Sequence, residues 1–339
     1  MNAGGSCEDA AELATDALQT VRRTGDAELT AAVQAAVAYP CLHAGRVREV
    51  LDAADAALEL TADRPELSAG FMFESPRGFA FLWRFLALAM LGRSGEALVA
   101  MDEAYAFLRE RRHKETLSWA AYFRLLTLRA AGAEKMDETE VPIAREAHEI
   151  AEAIAGPWVK LLAQISLGAA YLGAGRLAEA LEITSRAVTL METSHGGLEA
   201  LVRPEHSLAL TGTGDPLAGM AEAARAIRRC VECGNRQLRP LSCAAFATAT
   251  AAAATGLGRA SEILDDGERM VAETGARGFL PELLYGRALL QAAAGDQDAR
   301  RDTLRRGVTV AAQNGAHGWE KRFGDTLAGR TKPASGRHK

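Results

Sequence analysis

The sequence predicts an all-α protein, an α-solenoid of stacked helical hairpins, on three observations. A short glycine turn recurs down the chain, the segments flanking it keep helical apolar spacing, and no segment alternates with period two for long enough to form a strand. The turn reads Ala-Gly-Arg at 44–46, Leu-Gly-Arg at 91–93, Ala-Gly-Ala at 131–133 and Ala-Gly-Arg at 174–176. It returns as Thr-Gly-Asp at 213–215, Leu-Gly-Arg at 257–259 and Ala-Gly-Asp at 294–296. Taking Gly45, Gly92, Gly132, Gly175, Gly214, Gly258 and Gly295 as the turn glycines, the intervals run from 37 to 47 residues.

The turn chemistry narrows this to long tetratricopeptide-like hairpins. Gly-Arg-x-x-Glu-Ala is visible at Gly175-Arg176-Leu177-Ala178-Glu179-Ala180, with a close variant from Gly92 to Ala97. Glycine ends a first helix in the left-handed region without the steric cost of a Cβ. The glutamate then falls in the first turn of the second helix, where the macrodipole favours negative charge. The expected architecture is a right-handed superhelix of about eight such hairpins, some sixteen helices, over residues 1–329. Residues 330–339, basic and rich in Gly, Ser and Pro, read as a disordered tail.

Taken in order, the second helix after Gly45 places Val47, Val50, Leu51, Ala54, Ala57 and Leu58 on one face. A long loop from Ala62 to Pro76 follows, carrying Phe71, Met72 and Phe73. The stretch from Phe79 to Leu91 is apolar but interrupted by Arg84, and too short to span a membrane. After Gly175, Leu177, Ala180, Leu181, Thr184, Ala187, Val188 and Met191 form another helical face. Gly196-Gly197 and Pro204 predict a short or irregular first helix in the hairpin that follows. A lone hairpin cannot bury its apolar face, so each needs its neighbours.

Composition limits the function classes. The 339 residues carry a net charge of −5, which argues against whole-surface attraction to nucleic acid or an anionic membrane. Residues 1–20 lack a signal-peptide pattern, and the expected location is cytoplasmic. Five cysteines at irregular spacing do not form a disulfide framework. Cys230-Val231-Glu232-Cys233 has CxxC spacing but lacks the strand–helix context of a redox motif, and reads as buried or half-buried thiols. The seven histidines make no paired metal spacing. Gly212-Thr213-Gly214-Asp215 and Gly256-Leu257-Gly258-Arg259 lack a preceding strand and a Lys-Ser/Thr, so they read as turns. Neither a cofactor nor catalysis is expected.

Repeat geometry gives the candidate binding residues. Counting eight back from the turn glycine reaches Arg84, Arg124 and Arg287, with His206 at the same offset. On successive first helices this offset projects to one side, so Arg84 and Arg124 suit a basic ladder for a carboxylate-bearing partner. Aromatics concentrate in the same region, including Trp83, Trp119 and Tyr122. With Arg77, Trp158 and Lys160 they outline an expected concave groove for a peptide or partner domain. A small-molecule pocket near Trp83 and Trp119 is the alternative.

The words of the C-terminal third carry a resemblance. They run Glu273-Thr274-Gly275-Ala276-Arg277, Pro281-Glu282, Gly295-Asp296, Ala299-Arg300 and Leu304-Arg305-Arg306, then Gly315 to Arg322. With Ala69-Gly70-Phe71, Ser75-Pro76 and the turn at 89–93, they resemble the C-terminal repeat region of bacterial class III adenylate/guanylate cyclase–ATPase–repeat proteins. Related arrays occur in large transcription activators. The resemblance implies a regulatory, protein-binding module of bacterial signalling, with the regulatory C-terminal part of a nucleotide cyclase/ATPase or transcription activator as a further alternative. In those proteins the chemistry belongs to cyclase and ATPase domains, whose signatures are missing from this sequence, so no catalytic residue is carried over.

Overall fold

The computed structural model describes residues 6–71, 73–132, 136–154, 156–194 and 198–330. The expected tail beyond Arg330, Met72, Ala133, His195, Gly196-Gly197 and His338 lie outside them. Among the described residues there are sixteen α-helices, one 3-10 turn and no strand. In chain order they are α1 (Cys7–Thr24), α2 (Ala27–His43), α3 (Val47–Leu60), α4 (Pro76–Met90), α5 (Ser94–Arg111) and α6 (Lys114–Ala131). There follow α7 (Met136–Ile154), α8 (Pro157–Gly173), α9 (Leu177–Ser194), α10 (Glu199–Gly212) and α11 (Pro216–Cys233). The last are α12 (Arg239–Ala253), α13 (Leu257–Thr274), α14 (Leu280–Ala293), α15 (Gln297–Gln313) and α16 (His317–Leu327), with the 3-10 turn Arg277–Phe279 before α14. Consecutive helices pack in pairs, consistent with an α-solenoid.

Local sequence explains most boundaries. Ser6 and Asp9 form a capping box on α1, Asp26 caps α2, and Ser75 caps α4 ahead of Pro76. The Gly-Arg-x-x-Glu turn has a second role besides the dipole. Arg93 and Arg176 precede their helices and hold the glutamate three residues on, with Nε–Oε distances of 2.7 Å to Glu96 and 2.6 Å to Glu179. α10 is short, as expected, and carries Pro204 inside it.

One turn glycine is corrected. Gly256, at φ 69°, makes the turn before α13, while Gly258 is helical. Leu257 opens the helix between them, and the two glycines are two residues apart, so spacing alone did not separate them. The loop before α4 packs back on the array. Phe73 stacks on Phe79 with ring centroids 4.3 Å apart, and Glu74 accepts from the Thr116 N–H and hydroxyl at 2.9 and 3.0 Å. Phe71 alone of the loop's large apolar side chains described is exposed, at 66%.

The chain then meets itself. The Arg236 N–H donates to the His43 carbonyl at 2.8 Å. The Ser94 N–H donates to the Asn314 carbonyl at 3.1 Å, and the Asn314 amide donates to the Arg277 carbonyl at 2.9 Å. Trp319 Nε1 donates to the Arg129 carbonyl at 2.8 Å. The turns at Gly45, Gly92 and Gly132 are thereby seated against α11–α12, α15 and α16. Gly318 lies so close to the Gly132 carbonyl that a Cβ there would overlap it, and Gly278 stands likewise against Ala89.

Candidate functional site

Seating the two halves together encloses an aromatic chamber lined by the first helices. α2 supplies Tyr39 and His43, α4 Trp83, α6 Trp119, Tyr122 and Phe123, and α8 Trp158. Leu201 of α10 and Gln237 of the α11–α12 turn close the far side. Large rings at helical spacing on adjacent first helices project to a common interior, where they meet edge to face or tilted. Tyr39 packs on His43 at 4.6 Å between centroids, Trp83 on Phe123 at 4.7 Å and Trp119 beside Trp158 at 6.2 Å. The remaining space is about 20 Å³, enough for one water.

Among the described residues, two polar atoms in this wall have no hydrogen-bond partner. They are Trp83 Nε1, a donor, and Gln237 Oε1, an acceptor, on residues 3% and 2% exposed. A buried polar group without a partner costs about 1–3 kcal/mol, so a partner for either group would be stabilising.

The chemistry of His43 is set by its neighbours. Asn235 Oδ1 accepts from the Leu238 N–H at 2.9 Å, which leaves its amide nitrogen to donate to His43 Nδ1 at 2.9 Å. Nδ1 is then an acceptor and the ring proton sits on Nε2. Burial pushes the imidazole down to about 4, so it is neutral near pH 7. Burial likewise raises the Tyr39 and Tyr122 hydroxyls, which stay protonated.

Beside the chamber lies a buried ionic triad. Arg129 of α6 holds Glu282 of α14 through Nε at 2.6 Å, and pairs Glu205 of α10 through Nη1. Burial alone would lower the guanidinium, but the two carboxylates raise it. Burial raises Glu205, against the pull of Arg129. The triad joins three first helices distant in sequence.

The expected groove residues are placed as follows. Trp83, Trp119, Tyr122 and Trp158 come together in the chamber. The three arginines of the expected ladder instead reach acids on second helices. Arg84 pairs Asp55 at 2.8 Å, Arg124 grips Glu140 at 2.6 and 2.8 Å, and Arg287 bonds Glu268 at 2.8 Å and Asp265 at 2.6 Å. Arg77 donates to the Leu58 carbonyl at 2.8 Å and so caps the end of α3. Lys160 pairs Glu152 at 3.2 Å, and His206 bonds the Thr184 hydroxyl at 3.1 Å. An open cleft of about 390 Å³ between α10 and α11 is larger, but its buried Arg203 is already held by Glu222, Glu192 and Glu199.

Sequence reasoning missed Tyr39, His43, Gln237 and the triad. Tyr39 and His43, one helical turn apart just before Gly45, carried a usable signal. Among the described residues no three His, Cys, Asp or Glu side chains group as a metal site, and no helix is long and apolar enough to cross a membrane. No protein-family model matches the chain, and no curated protein matches it.

Proposed function

We propose that this chain is a non-catalytic regulatory module of bacterial signalling, a right-handed superhelix of about eight tetratricopeptide-like hairpins that senses a small molecule in its interior. The reading rests on one observation: Trp83 and Gln237, whose Nε1 and Oε1 have no partner among the described residues, line one aromatic-walled chamber. The complementary ligand is small and flat, with one acceptor for the indole N–H and one donor for the amide oxygen. The space of about 20 Å³ is too small for it, so binding parts the seam where Asn235 and Arg236 hold His43. A ligand that binds the parted state better shifts the chain toward it. An attached or partner protein then reads the change, as in the cyclase–ATPase regulators the sequence resembles. A peptide along the first helices would compete with the acidic partners of Arg84 and Arg124, which favours the interior.

The test is a thermal-shift and tryptophan-fluorescence screen of small heteroaromatic molecules in the cytoplasmic pH range. A hit is expected to stabilise the protein and to lose about tenfold in affinity in Trp83→Phe, which keeps the ring and removes the N–H. Indifference to all of them, alongside tight capture of an acidic peptide lost in Arg84→Glu/Arg124→Glu, would return the function to a peptide groove.

A further inference from the structure

Five free cysteines are present, and the pair that matters is not the one that sequence spacing picks out. Cys230 and Cys233 share the CxxC spacing, yet Cys230 is buried at 1% exposure while Cys233 is half-buried. The thiol that acts on Cys233 is Cys7, at the first turn of α1. The backbones meet as well: a Cβ on Gly234, the residue after Cys233, would lie 3.9 Å from the Cys7 nitrogen. Cys7 is also half-buried, whereas Cys41, Cys230 and Cys243 are buried.

We propose that Cys7 and Cys233 form a reversible disulfide in response to peroxide, and that this bond fastens α1 to the α11–α12 turn. The Cys233 sulfur attacks one peroxide oxygen, the O–O bond breaks, and a sulfenic acid and hydroxide result. The Cys7 sulfur then attacks Cys233 Sγ, its proton leaves with the departing hydroxide as water, and the S–S bond forms. Two thiols and one hydrogen peroxide become one disulfide and two waters. A dithiol reductant reverses the step. Interaction with the Cys7 thiol lowers the Cys233 thiol, against its burial, with help from the Asn235 backbone and Arg229. This makes Cys233 the attacking thiolate and Cys7 the resolving thiol.

Position gives the bond its consequence. Asn235, which holds His43, and Gln237, which lines the chamber, follow Cys233 within one short turn. A covalent tie there fixes the same seam that ligand entry parts. The chemistry stands independently of any ligand.

The purified full chain is treated with stoichiometric hydrogen peroxide, blocked with iodoacetamide and digested without reduction. Mass spectrometry is expected to find the Cys7–Cys233 peptide pair within a monomer, with loss of two free thiols. The thermal midpoint is expected to rise by about 3–6 °C, because the bond closes a very long loop, and to fall back with dithiothreitol. Cys230→Ser keeps the cross-link, and Cys7→Ser removes it. A Cys230–Cys233 disulfide, an intermolecular one, over-oxidised Cys233 without a partner, or unreacted thiols would each overturn the assignment. Peptide mapping on the unmutated chain keeps the test decisive if Cys7→Ser folds poorly.

Discussion

Replacing Arg129 by Met tests whether the triad holds the two halves together. The aliphatic stem is kept, while the charge that Glu205 and Glu282 share is removed. Their side chains are 7% and 15% exposed, so neither carboxylate recovers full hydration. Breaking a buried ion pair by removing one partner costs about 3–5 kcal/mol. The entropy of unfolding for 339 residues at about 2.1 cal/mol/K per residue converts this to a fall in thermal midpoint of about 4–7 °C. Calorimetry at pH 7 with a parallel urea titration reads both numbers. The triple variant Arg129→Met/Glu205→Gln/Glu282→Gln leaves no charge in the triad and is expected to recover at least half of the loss. A shift below about 1 °C in the single variant, or no recovery in the triple, would refute the reasoning.

Other outcomes follow from the same geometry. His43 has a folded value of about 4 against 6.5 when unfolded, so the unfolded chain binds the extra proton. Stability from this group is complete above pH 6.5 and is lost as pH falls toward 4, by about 3 kcal/mol. The difference between the protein and His43→Gln in urea unfolding from pH 7.5 to 4.5 measures it, and parallel pH curves would count against it. Glu205 runs the other way: its folded value is raised, so its contribution is present at low pH and declines as pH rises above 4.5. Glu205→Gln, mimicking the protonated form, is expected to flatten that slope. Gly256→Ala is expected to cost about 1 kcal/mol at φ 69°, whereas Gly258→Ala, with open space around it, changes stability by less than about 0.5 kcal/mol. Equal effects would mean that the turn has been placed wrongly. Gly318→Ala, despite alanine's better helix propensity, is expected to destabilise by more than 2 kcal/mol, because its Cβ meets the Gly132 backbone.

What the sequence made legible was local. Six of the seven turn glycines chosen from spacing have positive φ, because a helix end needs a left-handed residue whatever packs around it. The concentration of Trp83, Trp119, Tyr122 and Trp158 pointed to one region, and they do share a wall. The offset shared by Arg84, Arg124 and Arg287 gave equivalent positions, but not the partners. Those depended on Asp55, Glu140, Asp265 and Glu268 of second helices, whose register against the first helices is a tertiary matter. Arg129 and Glu205 left no trace in any motif, and Glu282 stood only in the Pro281-Glu282 word of the resemblance, with nothing to mark its partners. Their meeting arises only when hairpins far apart in sequence come face to face, and no local period encodes that.

The seating of the Gly45, Gly92 and Gly132 turns on later helices bears on how such a chain can change over time. An open stack tolerates the gain or loss of a single hairpin, since each unit touches only its neighbours. Here an added or deleted hairpin between Gly132 and Asn235 would shift every later docking partner by one unit. His43 would miss Asn235, Ser94 would miss Asn314, and Trp319 would miss the Arg129 carbonyl. Copy number is therefore locked by closure, and variation is confined to the lengths of helices and loops, as the uneven spacing of the turns already displays.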